Sequence, residues 1–86
     1  MYVVATGLYR ECWTDYVVNT LDDIDTLLLD KNFLDDYDYL FEQGITGHRF
    51  VERKSRSHPI ELVIQYWDGY DYEETTLYLF ELKVIK

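Results

Sequence analysis

The chain has 86 residues, enough for one compact domain that buries roughly two thirds of the surface its unfolded form exposes, with no room for a second core. Seventeen acids against eight lysines and arginines give a formal charge of −9, which disfavours nucleic acid and anionic membrane as partners and favours a basic protein. With 48% hydrophobic residues, nine tyrosines and two tryptophans, the composition excludes a disordered acidic tail.

Tyr2 to Tyr9 is apolar on both alternating faces (Tyr2, Val4 and Leu8 against Val3, Ala5 and Tyr9), which predicts an interior strand covered on both sides. Cys12 follows in the loop Arg10 to Asp15. As the one cysteine it allows no internal disulfide, which fits a reducing cytoplasm. No signal-peptide pattern and no apolar run of about 18 residues is visible, so a cytoplasmic protein is expected. Tyr16 to Asn19 is assigned a short second strand.

Helical spacing begins at Leu21, where Leu21, Ile24, Leu27 and Leu28 share a face, with Thr20 as N-cap and Asp23 three positions on. A turn at Lys31-Asn32 leads into a second helix, with Phe33, Leu34, Tyr37, Leu40 and Phe41 on its apolar face and Gly44 as a left-handed cap. From Gly47 the period becomes two. Arg49 to Lys54 is expected as a strand, joined by the polar loop Ser55 to Pro59 to a strand in which Ile60, Leu62, Ile64 and Tyr66 share a face. A loop from Asp68 to Thr75 leads to a last strand, with Tyr78, Phe80, Leu82 and Val84 on one face. The predicted fold is α+β: a small single domain whose antiparallel sheet of four to five strands carries two short acidic helices on one face. Leu21, Ile24, Leu27, Leu28, Tyr37, Leu40 and Phe41 are expected to pack against Leu62, Ile64, Phe80 and Leu82.

The helical segment is also where the charge lies. Asp22, Asp23, Asp25, Asp30, Asp35, Asp36, Asp38 and Glu42 face a single base, Lys31, a net of −7. Acids in a first helical turn complement the macrodipole, which accounts for Asp22, Asp23, Asp35 and Asp36. The remaining four have no such reason, and the like-charged pairs Asp22/Asp25, Asp35/Asp38 and Asp38/Glu42 each cost a helix a few tenths of a kcal/mol. Such a surface suits docking onto a basic groove, with charges steering the encounter and aromatics supplying contact area. The residues expected to meet the partner are Asp22, Asp25, Asp30, Asp35, Asp38, Tyr39 and Glu42 on the helices. Asp68, Tyr70, Asp71, Tyr72, Glu73 and Glu74, in the loop after Tyr66 and Trp67, are expected to extend the surface.

Carboxylates three or four apart on a helix form a dense negative row that can stand in for part of a phosphate backbone. In size, acidity and lack of catalytic signatures the chain resembles the small inhibitors that phages and mobile elements use against restriction or CRISPR nucleases. Acidic immunity proteins and antitoxins that cap basic nucleases share that character. The resemblance implies a non-catalytic inhibitor of a nuclease or other DNA- or RNA-handling protein, acting as a nucleic-acid mimic. A different class, a structural or regulatory oligomer subunit whose acidity serves solubility, predicts binding that salt does not weaken.

The basic segment His48 to His58 carries Arg49, Arg53, Lys54 and Arg56 against Glu52, a net of +3. It is expected as a solvated hairpin tip, with direct nucleic-acid contact or pairing with a second copy in a homodimer as the other readings. Asp23-Ile24-Asp25 and Asp36-Tyr37-Asp38 have calcium-loop spacing but no glycine or glutamate where such a loop needs them. Cys12, His48 and His58 lack zinc spacing, and Ser57-His58 lacks the context of a nucleophile. No metal, cofactor or catalytic residue is expected.

Overall fold

The computed structural model describes residues 1–41 and 44–83. Five antiparallel strands form one sheet: β1 (Tyr2–Ala5), β2 (Trp13–Val18), β3 (Ile45–Val51), β4 (Ile60–Trp67) and β5 (Tyr72–Glu81), in the spatial order β2-β1-β5-β4-β3. β1 is interior, as expected, but it ends at Ala5 instead of Tyr9, and Leu8 and Tyr9 beyond it are exposed. Between β2 and β3 the chain makes a 3-10 turn (Leu21–Asp23) and three short helices, α1 (Ile24–Leu27), α2 (Lys31–Asp36) and α3 (Asp38–Phe41). The fold is the expected α+β domain.

The helical segment packs through one apolar face. Ile24, Leu27, Leu28, Phe33 and Phe41 are buried together with Val4, Val18, Leu62, Ile64, Leu77 and Leu79 of the sheet. Phe33 is wholly buried and lies at its centre, with ring centroids 5.2 Å from Tyr16, 5.2 Å from Tyr37 and 6.1 Å from Phe41. Leu21, Leu34, Tyr37 and Leu40 pack at the margin.

Several boundaries differ from the sequence reading. The second helix starts at Lys31, capped by the Asp30 carboxylate, which accepts from the Phe33 amide at 3.0 Å; the turn therefore precedes Lys31-Asn32. That helix is broken at Tyr37, whose φ of −124° leaves the helical region. β3 starts at Ile45 and ends at Val51 instead of running from Arg49 to Lys54, and β2 begins at Trp13, earlier than Tyr16. β5 begins at Tyr72, so Tyr72, Glu73 and Glu74 lie on a strand and the connecting loop shrinks to 68–71.

The face assigned to β5 is also corrected. Leu77 and Leu79 meet the helices, in register with Leu62 and Ile60, whereas Phe80 pairs with Val3 on the opposite face and packs against Trp13 at 5.4 Å. Leu82 lies beyond the strand, where its amide donates to the Met1 carbonyl at 2.9 Å. Both residue sets of β5 are apolar, so alternation alone does not choose the core face; pairing with β1 and β4 does. Val84 and Glu42, also assigned from sequence, lie outside the described residues.

Gly44 closes the helical segment with φ +113°, a backbone region that side chains disfavour, and its amide donates to the Phe41 carbonyl at 2.9 Å. Its carbonyl accepts from the Trp67 amide at 3.3 Å, which ties the start of β3 to the end of β4. The α3–β3 connection and the 68–71 turn therefore share one end of the sheet, and the basic loop 52–59 occupies the other.

Candidate functional site

The structure divides the acids into those that hold the fold and those that face solvent. Asp23 accepts from the amides of Asn19 and Thr20, both at 3.1 Å, as its place after Thr20 predicts. Asp30 caps α2. Asp36 accepts from the Tyr16 hydroxyl at 2.6 Å and ties the helical segment to the edge strand β2. Asp22, Asp35 and Asp38 are exposed and form no hydrogen bond or ion pair among the described residues, and Asp25 approaches only His48, with Oδ1 3.4 Å from Nε2. Asp25 and Asp38 stand in the first turns of α1 and α3, but helices of four residues have little macrodipole to complement, and Asp35 and Asp36, expected in a first turn, are the last two residues of α2 because that helix starts at Lys31.

Asp25, Asp35 and Asp38 converge on a cleft of about 540 Å³ between α1, the α2–α3 pair and the start of β3. Of its lining residues Leu28 and Phe41 are buried and Leu34 and Ile45 half-buried, while Asp25, Asp35, Asp38 and Leu29, 81% exposed, are open to solvent. No lysine, arginine or histidine lines it among the described residues. Leu29, Leu34 and Ile45 are absent from the sequence-based site. Leu29 carried a signal nonetheless: in the run Leu27-Leu28-Leu29 the third residue rotates off the stripe of Leu21, Ile24, Leu27 and Leu28, which leaves an unexplained exposed leucine.

The other predicted site residues are divided. Asp22 and Tyr39 are exposed outside the cleft, and the Tyr39 ring, 66% exposed, lies 6.3 Å from that of Tyr37. The Asp68 carboxylate accepts from the amides of Tyr70 and Asp71, both at 2.7 Å, and these bonds hold its pKa below the usual carboxylate range. Asp68 therefore shapes the turn, whose tip presents Tyr70 at 94% exposure beside Asp71. Tyr72 packs edge-on against Trp67 at 4.9 Å, and Glu73 is exposed on β5. Glu74 forms an ion pair with Arg49 at 2.9 Å, and that hydrogen bond lowers its pKa.

Arg53 likewise pairs with Glu81 at 2.8 Å, so two of the four bases of the hairpin segment are engaged by acids of β5. Among the described residues no group of three or more His, Cys, Asp or Glu side chains forms a metal-binding arrangement, and no helix is long and apolar enough to cross a membrane.

Two tyrosines at the helical segment are shifted in pKa, chiefly by a hydrogen bond in one case and by burial in the other. Tyr16 is pushed up from the usual 10 to about 12, first by its hydrogen bond to Asp36, then by partial burial and the charges of Asp36 and Asp30. Tyr37 is raised by burial and by Tyr39 and Asp36. Because the fold favours the protonated phenol, this contribution to stability is complete below pH 10 and disappears as pH rises towards 12. Tyr16→Phe should therefore flatten the alkaline fall of the urea midpoint, leaving a smaller decline from Tyr37. Identical alkaline profiles for the two proteins would contradict the assignment.

No family model, curated protein or solved structure matches the chain.

Proposed function

We propose that the protein is a non-catalytic inhibitor that occupies the nucleic-acid-binding surface of a basic nuclease or other DNA- or RNA-handling protein. Phage and mobile-element inhibitors of CRISPR or restriction nucleases are its type. One observation carries the reading: Asp25, Asp35 and Asp38 line one cleft that among the described residues has no lysine or arginine in its lining, only Asp25 having a neighbouring His48, while Arg49 and Arg53 are engaged elsewhere by glutamates. Acids chosen only for solubility need no such convergence. Surfaces that bind phosphate backbones present lysines and arginines, and these are the groups an acidic face attracts.

Immobilised protein and its Asp35→Lys/Asp38→Lys variant, exposed to host-cell extract, provide the test. The expected result is capture of a basic nucleic-acid-binding protein by the native chain, strongly reduced in the variant and at high salt. Capture that neither the variant nor salt affects would favour an oligomer subunit instead.

A further inference from the structure

The cleft is more than a row of charges, and its chemistry narrows the partner. A pure mimic of a phosphate backbone needs carboxylates over a polar surface. Here three exposed aspartates share the lining of a cleft of about 540 Å³ with leucine, phenylalanine and isoleucine, among them buried Leu28 and Phe41. We infer that the cleft seats a basic amphipathic segment of the partner protein, in which lysines or arginines flank one bulky apolar residue. This rests on the proposed inhibitor reading and specifies how the same site binds.

The complementarity is of two kinds. The apolar residue fills the floor over Leu28, Leu34 and Phe41, and Leu29 closes over it from the mouth. The flanking bases lay their methylene stems along the cleft walls and bring their charged heads to Asp25, Asp35 and Asp38. Each component excludes a class of occupant: the carboxylates repel nucleic acid and anionic lipid, and the apolar floor gives a purely polybasic chain nothing to bury. In a second copy of this protein Arg49 and Arg53 of the basic segment are already paired with Glu74 and Glu81, which leaves only Lys54 and Arg56 of that segment to meet the carboxylates.

Two synthetic peptides of equal charge test the inference, one with a leucine between arginines and the other with serine in its place. Titration by fluorescence anisotropy at physiological salt should show the leucine peptide binding about tenfold to a hundredfold tighter, the worth of one buried leucine. Leu29→Ser, at a position too exposed to matter for folding, should shrink that ratio several-fold. Asp35→Lys/Asp38→Lys should weaken both peptides. Equal affinity of the two peptides, or no binding of either, would overturn the inference. Continued capture of a basic nucleic-acid-binding protein by the native chain and not by the lysine variant would then leave the inhibitor reading standing. Loss of that discrimination as well would remove both.

Discussion

Phe33→Ala should unfold or nearly unfold the protein. The ring is wholly buried and contacts Tyr16, Tyr37 and Phe41, so its removal opens a cavity at the place where β2, α2 and α3 meet. Truncations of this kind cost about 3 to 5 kcal/mol, against a total stability of about 5 to 15 kcal/mol for ordinary domains. Helices of four and six residues have no stability of their own in water and persist only through this packing. The acidic face should therefore lose its shape together with the core. Urea denaturation followed by near-ultraviolet circular dichroism should show a large drop in midpoint, and Leu40→Ala, at the half-buried margin, a smaller one. A Phe33→Ala midpoint equal to the native one would refute the central packing.

Asp35→Lys/Asp38→Lys should leave the fold intact and cripple binding. Both side chains are exposed and unpaired among the described residues, so stability should change by no more than about 0.5 kcal/mol per site. The local charge rises by four units at the mouth of the cleft. Steering of this kind commonly changes association rates by about tenfold to a thousandfold, so the association rate should fall at least tenfold at low salt. Its dependence on ionic strength should flatten, and the dissociation rate should change less. Tyr39→Ala should instead speed dissociation, since an exposed aromatic beside the acids supplies contact area rather than steering. Normal association by a folded lysine variant would move the interface to the turn bearing Tyr70 and Asp71.

The fold was legible wherever burial was one-sided. The stripe of Leu21, Ile24, Leu27 and Leu28 marked its buried face by helical spacing, and in β4 Glu61 and Gln65 marked the side opposite Ile60, Leu62 and Ile64, although Val63 between them is buried as well. β5 was misread because Leu77, Tyr78, Leu79 and Phe80 are apolar in succession, and only inter-strand register decides which pair faces the helices. The break at Tyr37 was invisible because the apolar spacing of Phe33, Leu34, Tyr37, Leu40 and Phe41 continues smoothly across it. At the site, exposure of the acids followed from the helical pattern and the capping role of Asp23 from its place after Thr20, but the separation of the other acids into engaged and unengaged groups did not. Asp36 binds Tyr16, which is 20 positions away, and Asp30 became a cap when the helix start moved. The cleft joins α1 to Ile45 across a connection whose geometry no local pattern encodes.

Under the proposed function, this acidic face and nucleic acid compete for one surface on the partner. The most direct measurement is an equilibrium competition: labelled duplex DNA or RNA bound to the captured partner, titrated with this protein and followed by anisotropy. The expected result is complete displacement of the nucleic acid, with the required concentration rising as more nucleic acid is present and rising again for Asp35→Lys/Asp38→Lys. A stable ternary complex, in which nucleic acid stays bound while this protein saturates the partner, would contradict the claim.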